Sequence, residues 1–387
     1  MRKPREIRIG RPTCARVDGR DRVEATVDGR SVFFESSDAV PAPSVEAFAG
    51  PFVLAALDTG AVLRLEETPS ETWLRNARAL VDLYCRWWGY TGPDPLRLAD
   101  SRPDAGPPRP EGGQCFSAGI DSFYTLRSSP HRRDVLVAIH GFDIALSDDR
   151  RMEAFARSLR TIADATGRRA IVLRTSLRRH PLVRRLSWDR EHGSVLAAAG
   201  HALADTIGSL VIPASWGTGW PAGWGSHWDS DPLWSSDRLR VIHDDASLER
   251  WDKVPSLADD PLFFEHLRVC WENRVPEGNC GLCEKCVRTR VVFARCGVLE
   301  RGEPAFHTTL PLVASLDRLP ALSVKQLTVI WEPHYLRWDL PAELHDAIER
   351  LCERSRRYHA AGPATRALRR VRKAVRRLKR IGHPRPR

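Results

Sequence analysis

The chain has 387 residues, 42% of them hydrophobic and 28% charged, which is enough for two domains plus a tail around a sizeable core. No apolar run approaches the ~18–20 residues of a membrane-spanning helix, and the basic start MRKPREIRIGRP lacks the apolar stretch of a secretory signal, so a cytoplasmic protein is expected. The net charge of +11 is concentrated at one end: eleven Lys and Arg and no acids lie between Ala364 and Arg387, so residues 1–363 are formally neutral and argue against an extensive nucleic-acid-binding face.

Residues 1–90 read as a small α+β domain in which no chemistry is visible. VEATV (23–27) and SVFFES (31–36) flank Asp28-Gly29, a hairpin turn. Helical stretches follow near 43–57 and 70–89, the second opening at Ser70 and Glu71. Residues 91–113 are rich in Pro and Gly and read as a linker. From residue 114 strands and helices alternate. Strands are expected at 114–117, 134–140, 169–175 and 209–215, with helices at 121–128, 148–166 and 191–206. This alternation predicts an α/β domain over 114–300, an open parallel sheet with helices on both faces. Helices over 301–360 and a basic tail over 361–387 complete the chain.

The most informative segment is Ser117-Ala118-Gly119-Ile120-Asp121-Ser122, a small-residue loop between an apolar strand and an amphipathic helix. Such a loop lets backbone N–H groups approach an anion, the helix N-terminus adds partial positive charge, and the hydroxyls of Ser117 and Ser122 are available to donate. The competing reading is an ordinary capped helix start, with Asp121 or Ser122 as the cap. Neither GxxxxGK[ST] nor GxGxxG occurs. The loop resembles the SGGxDS loop of the PP-loop ATP pyrophosphatases, with Ala118 where that family usually has Gly, tolerable if φ is negative there. The resemblance implies a PP-loop (HUP-like) fold that binds ATP with Mg²⁺ and splits it to AMP and pyrophosphate.

Nine cysteines are present, and Cys270, Cys280, Cys283 and Cys286 fall within 17 residues of one another. Four thiolates in this spacing suit a closed structural Zn²⁺ site, with an iron–sulfur cluster as the competing occupant. Cys296 reads as a core residue. The phosphate loop combined with Trp271 and the run Cys280-Gly281-Leu282-Cys283-Glu284-Lys285-Cys286-Val287-Arg288 resembles the 7-cyano-7-deazaguanine synthase family over roughly residues 113–292. That resemblance implies an ATP-dependent ligase that adenylates a small-molecule carboxylate and passes it to a nitrogen nucleophile.

Other residues carry more open readings. His140, with Gly141 and Asp143, follows the second strand and is placed for adenine or ribose contacts, or for a core or capping role. Lys253 and Arg288, with Asp121, are the candidate catalytic residues, the cations offsetting charge on the α-phosphate and Asp121 orienting Mg²⁺. Five tryptophans in 215–238, with His227, Asp229, Asp231 and Asp237, form either an acceptor-binding wall or packing for a loop. In the tail, Leu368, Val371, Val375 and Leu378 recur at helical spacing among arginines, which suits tRNA, an anionic membrane surface or an acidic partner, or else a solvated tail. A PP-loop tRNA-modifying enzyme, for which Cys115 is the available reactive cysteine, and a non-catalytic nucleotide-binding or scaffolding protein remain as alternatives. A homodimer also remains open.

Overall fold

A computed structural model describes residues 5–219 and 223–361. The chain divides into two compact units, Met1–Val269 and Cys270–Arg387. In the first, ten strands form one mixed sheet: β1 (Glu6–Ile9), β2 (Thr13–Val17), β3 (Arg20–Val27), β4 (Arg30–Ser36), β5 (Val62–Leu65), β6 (Gly112–Cys115), β7 (Val135–His140), β8 (Arg169–Thr175), β9 (Ser209–Ile212) and β10 (Arg240–His243). The helices of this unit are α1 (Val45–Thr59), α2 (Glu71–Trp88), α3 (Ile120–Ser128), α4 (Asp149–Ala165), α5 (Pro181–Arg184), α6 (Trp188–His201) and α7 (Pro261–His266). The second unit holds α8 (Glu284–Arg295), α9 (Leu299–Gly302), α10 (Leu312–Arg318) and α11 (Ala342–Ala360). Among the described residues no helix is long and apolar enough to cross a membrane.

The strand order is β10-β9-β6-β7-β8-β4-β3-β1-β5, with β2 paired to β3. The five strands β10 to β8 are parallel, and they show the near-continuous burial of a sheet covered on both faces: Val135–Ala138 of β7 and Leu210–Ile212 of β9 are all buried. Within this half β6 comes first in the chain, the path runs outward through β7 to β8, and it then crosses back to β9 and β10. The gap between the C-terminal ends of β6 and β9 is therefore a topological switch point, where open α/β sheets bind their ligands. Helices cover both faces. The Gln114 side chain donates to the Ser122 carbonyl of α3 at 2.7 Å, whereas a Cβ on Gly200 of α6 would meet Leu210, which faces the other way.

The N-terminal residues do not stand apart as a domain of their own. Antiparallel pairing of β4 with β8, Phe34 opposite Thr175 and Glu35 opposite Arg174, carries the same sheet into β3, β1 and β5. The hairpin turn lies where expected, with Asp28 and Gly29 both at positive φ, the geometry that matches strand twist. The Pro/Gly-rich stretch 91–113 is a strap, not a free linker. Leu96 is fully buried, Arg102 bonds the Asp237 carboxylate at 2.7 Å, and the last two residues open β6. The four cysteines fall in the second unit with the C-terminal helices, so the expected 114–300 domain ends at residue 269. All but the first residue of the expected tail, including its apolar stripe, lies outside the described residues.

Candidate phosphate crevice and candidate metal centre

The loop after β6 is shaped by two backbone features. Ala118, fully buried, adopts φ +57°, so the condition under which alanine would be comfortable is not met. The left-handed conformation costs an alanine roughly 1–2 kcal/mol. Gly119 caps α3 in extended conformation (φ −82°, ψ 171°), and a Cβ there would come within 3.3 Å of the Ser117 hydroxyl. The Ala118 carbonyl accepts from the Arg268 amide at 2.8 Å, which fixes the loop from behind. Ser117 is exposed, and Ile120 opens α3. Ser122 is buried and its hydroxyl donates to the Gly119 carbonyl at 2.9 Å, so it braces the loop and is not turned toward an anion.

Asp121 faces the switch point. Its Oδ2 accepts from Arg250 Nε and Nη2 at 2.9 and 2.6 Å and from Ser215 Oγ, on the segment after β9, at 3.5 Å. Lys253 Nζ stands 3.7 Å from Asp121 Oδ1, donates to the Ala214 carbonyl at 2.6 Å, and lies 5.2 Å from the Tyr124 ring centre. Two cations thus share the Asp121 carboxylate at the switch point, with Asp245 and Glu249 also acting on Lys253. Arg250 and Ser215 were not anticipated. Arg250 lies three residues before Lys253, but nothing local marks it among sixty Lys and Arg.

His140 is buried, and its Nε2 lies 2.9 Å from the Ala145 carbonyl; burial lowers its pKa, which favours the neutral ring that ties this turn. Gly141, at φ +119°, is required there because a Cβ would collide with the Thr175 carbonyl. The aromatic segment is partly packing. Trp234 is buried, with His201 bonded to its carbonyl at 2.8 Å, while Trp220 lies outside the described residues. His227 stacks on Trp228 with ring centres 3.6 Å apart, and its Nδ1 accepts from the Asp229 amide at 3.1 Å. Asp231 is fully buried and accepts from Ser226 Oγ at 2.6 Å and His243 Nδ1 at 2.7 Å, and Asp237 holds Arg102. Trp216 and Trp224 meet edge to face at 6.0 Å beside Ser215.

In the second unit Cys270, Cys280, Cys283 and Cys286 bring four sulfurs within 4.8 Å of one another, all four residues buried. The Cys270–Cys283 and Cys280–Cys286 sulfurs are 3.9 and 4.0 Å apart. A tetrahedron with Zn–S bonds of about 2.3 Å has edges of about 3.8 Å, so this cluster could hold a metal ion with little adjustment. The local sequence builds the cage. Gly281, at φ +70°, turns the chain so that the Cys283 amide reaches Cys280 Sγ at 3.3 Å, and Thr308 leaves no room for a side chain on it. Cys283 caps α8 and Cys286 lies in its first turn, where the helix dipole favours thiolate. Asn279 Oδ1 accepts from the Cys270 amide at 3.0 Å. Hydrogen bonds among the thiols hold Cys270 low and bring Cys280 down to about 6, while the same contacts push Cys286 up.

Arg288 lies on α8, with Nε 3.6 Å from Glu284, which also accepts from Trp331 at 2.9 Å. Its neighbour Arg290 is the buried brace of this unit, bonding Glu303, Ser315 and the Leu310 carbonyl. A second group of potential ligands, His345, Asp346 and Glu349 on α11, is half-buried to exposed. Comparisons with family models, with curated proteins and with solved structures each return no match to this chain.

Proposed function

We propose that the crevice at the ends of β6 and β9 binds ATP, and that the chain is an AMP- and pyrophosphate-forming ligase of the PP-loop type acting on a small-molecule carboxylate. The observation that carries this reading is Asp121 held between Arg250 and Lys253 at the switch point, directly at the N-terminus of α3. Helix dipole, loop and two cations all favour an anion at one place. On this reading the phosphates take Arg250 and Lys253 as partners, and Asp121, released from Arg250, becomes a carboxylate ligand for Mg²⁺. Arg250 and Lys253 then stabilise charge on the α-phosphoryl group as the carboxylate oxygen attacks and pyrophosphate leaves. A nitrogen nucleophile displaces AMP in the second half-reaction. Arg288 is assigned to bracing α8.

For the four-cysteine centre we propose structural Zn²⁺. Four protein sulfurs close the coordination shell, so the metal would hold the Cys270–Cys286 segment together and offer no position to a substrate. Metal analysis of the purified protein separates zinc from an iron–sulfur cluster.

The activity test uses ATP labelled at the α-phosphate with Mg²⁺ and bacterial extract, half of it RNase-treated, comparing wild type with Asp121→Ala. AMP release that depends on Asp121 and survives RNase supports the proposal. Loss with RNase redirects it to tRNA, and release of ADP, or no difference between the two proteins, rejects it.

A further inference from the structure

Glu191, in the first turn of α6, is 1% exposed, and neither of its carboxylate oxygens accepts a hydrogen bond. Arg178 Nε forms an ion pair with Oε1 at 3.7 Å, too long for a hydrogen bond; the same guanidinium lies 4.2 Å from the Trp188 ring centre, and its Nη1 donates to the Phe142 carbonyl at 3.4 Å. Phe142 follows β7 and Arg178 follows β8, so Glu191 lies at the same C-terminal edge of the sheet as the phosphate loop. A row of rings joins the two places. Trp188 meets His192 at 5.7 Å, His192 meets Trp224 at 5.5 Å, and Trp224 meets Trp216, whose neighbour Ser215 reaches Asp121. A buried carboxylate with no donor is costly, and native folds rarely keep one without a partner to satisfy it.

We propose that Glu191 is the binding site for an ammonium ion or primary alkylammonium group, the nitrogen donor of the reaction proposed for this crevice. The inference rests on that reading for the fate of the nitrogen, though not for its binding. A small cation with N–H bonds satisfies both orphaned oxygens. A proton then passes from the nitrogen to a Glu191 oxygen, leaving a neutral amine with its lone pair and a neutral carboxylic acid. Burial pushes the Glu191 carboxyl up to about 7, against the opposing pull of Arg178, so the group changes charge near neutrality. Among nearby titratable groups, the His192 ring is lowered by burial and lies 2.8 Å from the Trp188 carbonyl, with Asp231, Asp189 and Asp143 acting on it.

The test is binding of methylammonium chloride to the full chain by tryptophan fluorescence, with potassium chloride and tetramethylammonium chloride at equal ionic strength as references. Expected is a saturable response to methylammonium alone, about tenfold weaker at pH 6 than at pH 8, because a carboxyl titrating near 7 is about 90% ionised at pH 8 and about 10% at pH 6. Glu191→Gln, with circular dichroism confirming its fold, should abolish it. A response unchanged in Glu191→Gln, or matched by potassium, or absent at pH 8, overturns the proposal. Methylammonium binding that depends on Glu191 in a protein to which MgATP does not bind supports this site while the ligase reading fails.

Discussion

Replacing Glu191 by Gln should stabilise the protein, and only above a definite pH. The carboxyl titrates at 4.5 when unperturbed and at about 7 in the fold, burial being the main cause. Below about pH 4.5 both states are protonated and the group contributes no penalty. Between about 4.5 and 7 the folded state holds a proton that the unfolded chain has released, so stability falls as pH rises, and above 7 the loss is complete. A shift of about 2.5 units corresponds to about 3 kcal/mol. Glutamine keeps the volume and cannot ionise, so unfolding in urea should give a wild-type-minus-variant difference below ~0.5 kcal/mol at pH 4.5 that grows to about 3 kcal/mol in favour of the variant by pH 8. A difference that does not vary with pH, or a variant less stable than wild type at pH 8, would refute the reasoning, because either result means that Glu191 is satisfied in the fold. A cost of this size retained near the proposed nitrogen site is the expected signature of a group kept for function.

Three further outcomes test the rest of the molecule. Lys253→Met should reduce MgATP affinity at least tenfold by calorimetry, since it removes one of two cations from the crevice; unchanged affinity would remove Lys253 from the nucleotide site. Cys283→Ser should lower bound zinc, measured by mass spectrometry, to well below one equivalent and destabilise the second unit by several kcal/mol in thermal unfolding, whereas full zinc retention would exclude four-sulfur coordination. Gly193→Ala should cost at least ~1–3 kcal/mol in urea unfolding, because its methyl group would run into the Gly225 carbonyl and come within 2.9 Å of Asp231 Oδ1; wild-type stability would show that the segment carrying Gly225 yields freely.

What the sequence discloses here divides along local and non-local lines. The hairpin at Asp28-Gly29, the strands at 135–140 and 169–175 and the cysteine spacing were legible because each is decided within a few residues, by turn chemistry, apolar continuity or ligand geometry. The joining of β4 to β8 was not, since an antiparallel pair between residues 34–35 and 174–175 leaves no mark in either segment, and the Pro/Gly content of 91–113 reads alike for a linker and for a strap. Charge partners are non-local too. Asp121 was visible in its motif, but Arg250 becomes its partner only when the segment after β10 folds back to the end of β9. Glu191 opened a stretch read only as helical, and only the packing of Trp188 and Phe142 under Arg178 turns it from one acid among forty-nine into a buried carboxyl near its titration point. Ala118 carries the same lesson at the scale of one dihedral. The residue identity left the sign of φ open; in the fold φ is positive, and the Ala118 carbonyl accepts from the Arg268 amide, 150 residues away. An alanine at positive φ is a strain of roughly 1–2 kcal/mol borne by the fold, in a loop tied to a residue that no local reading reaches.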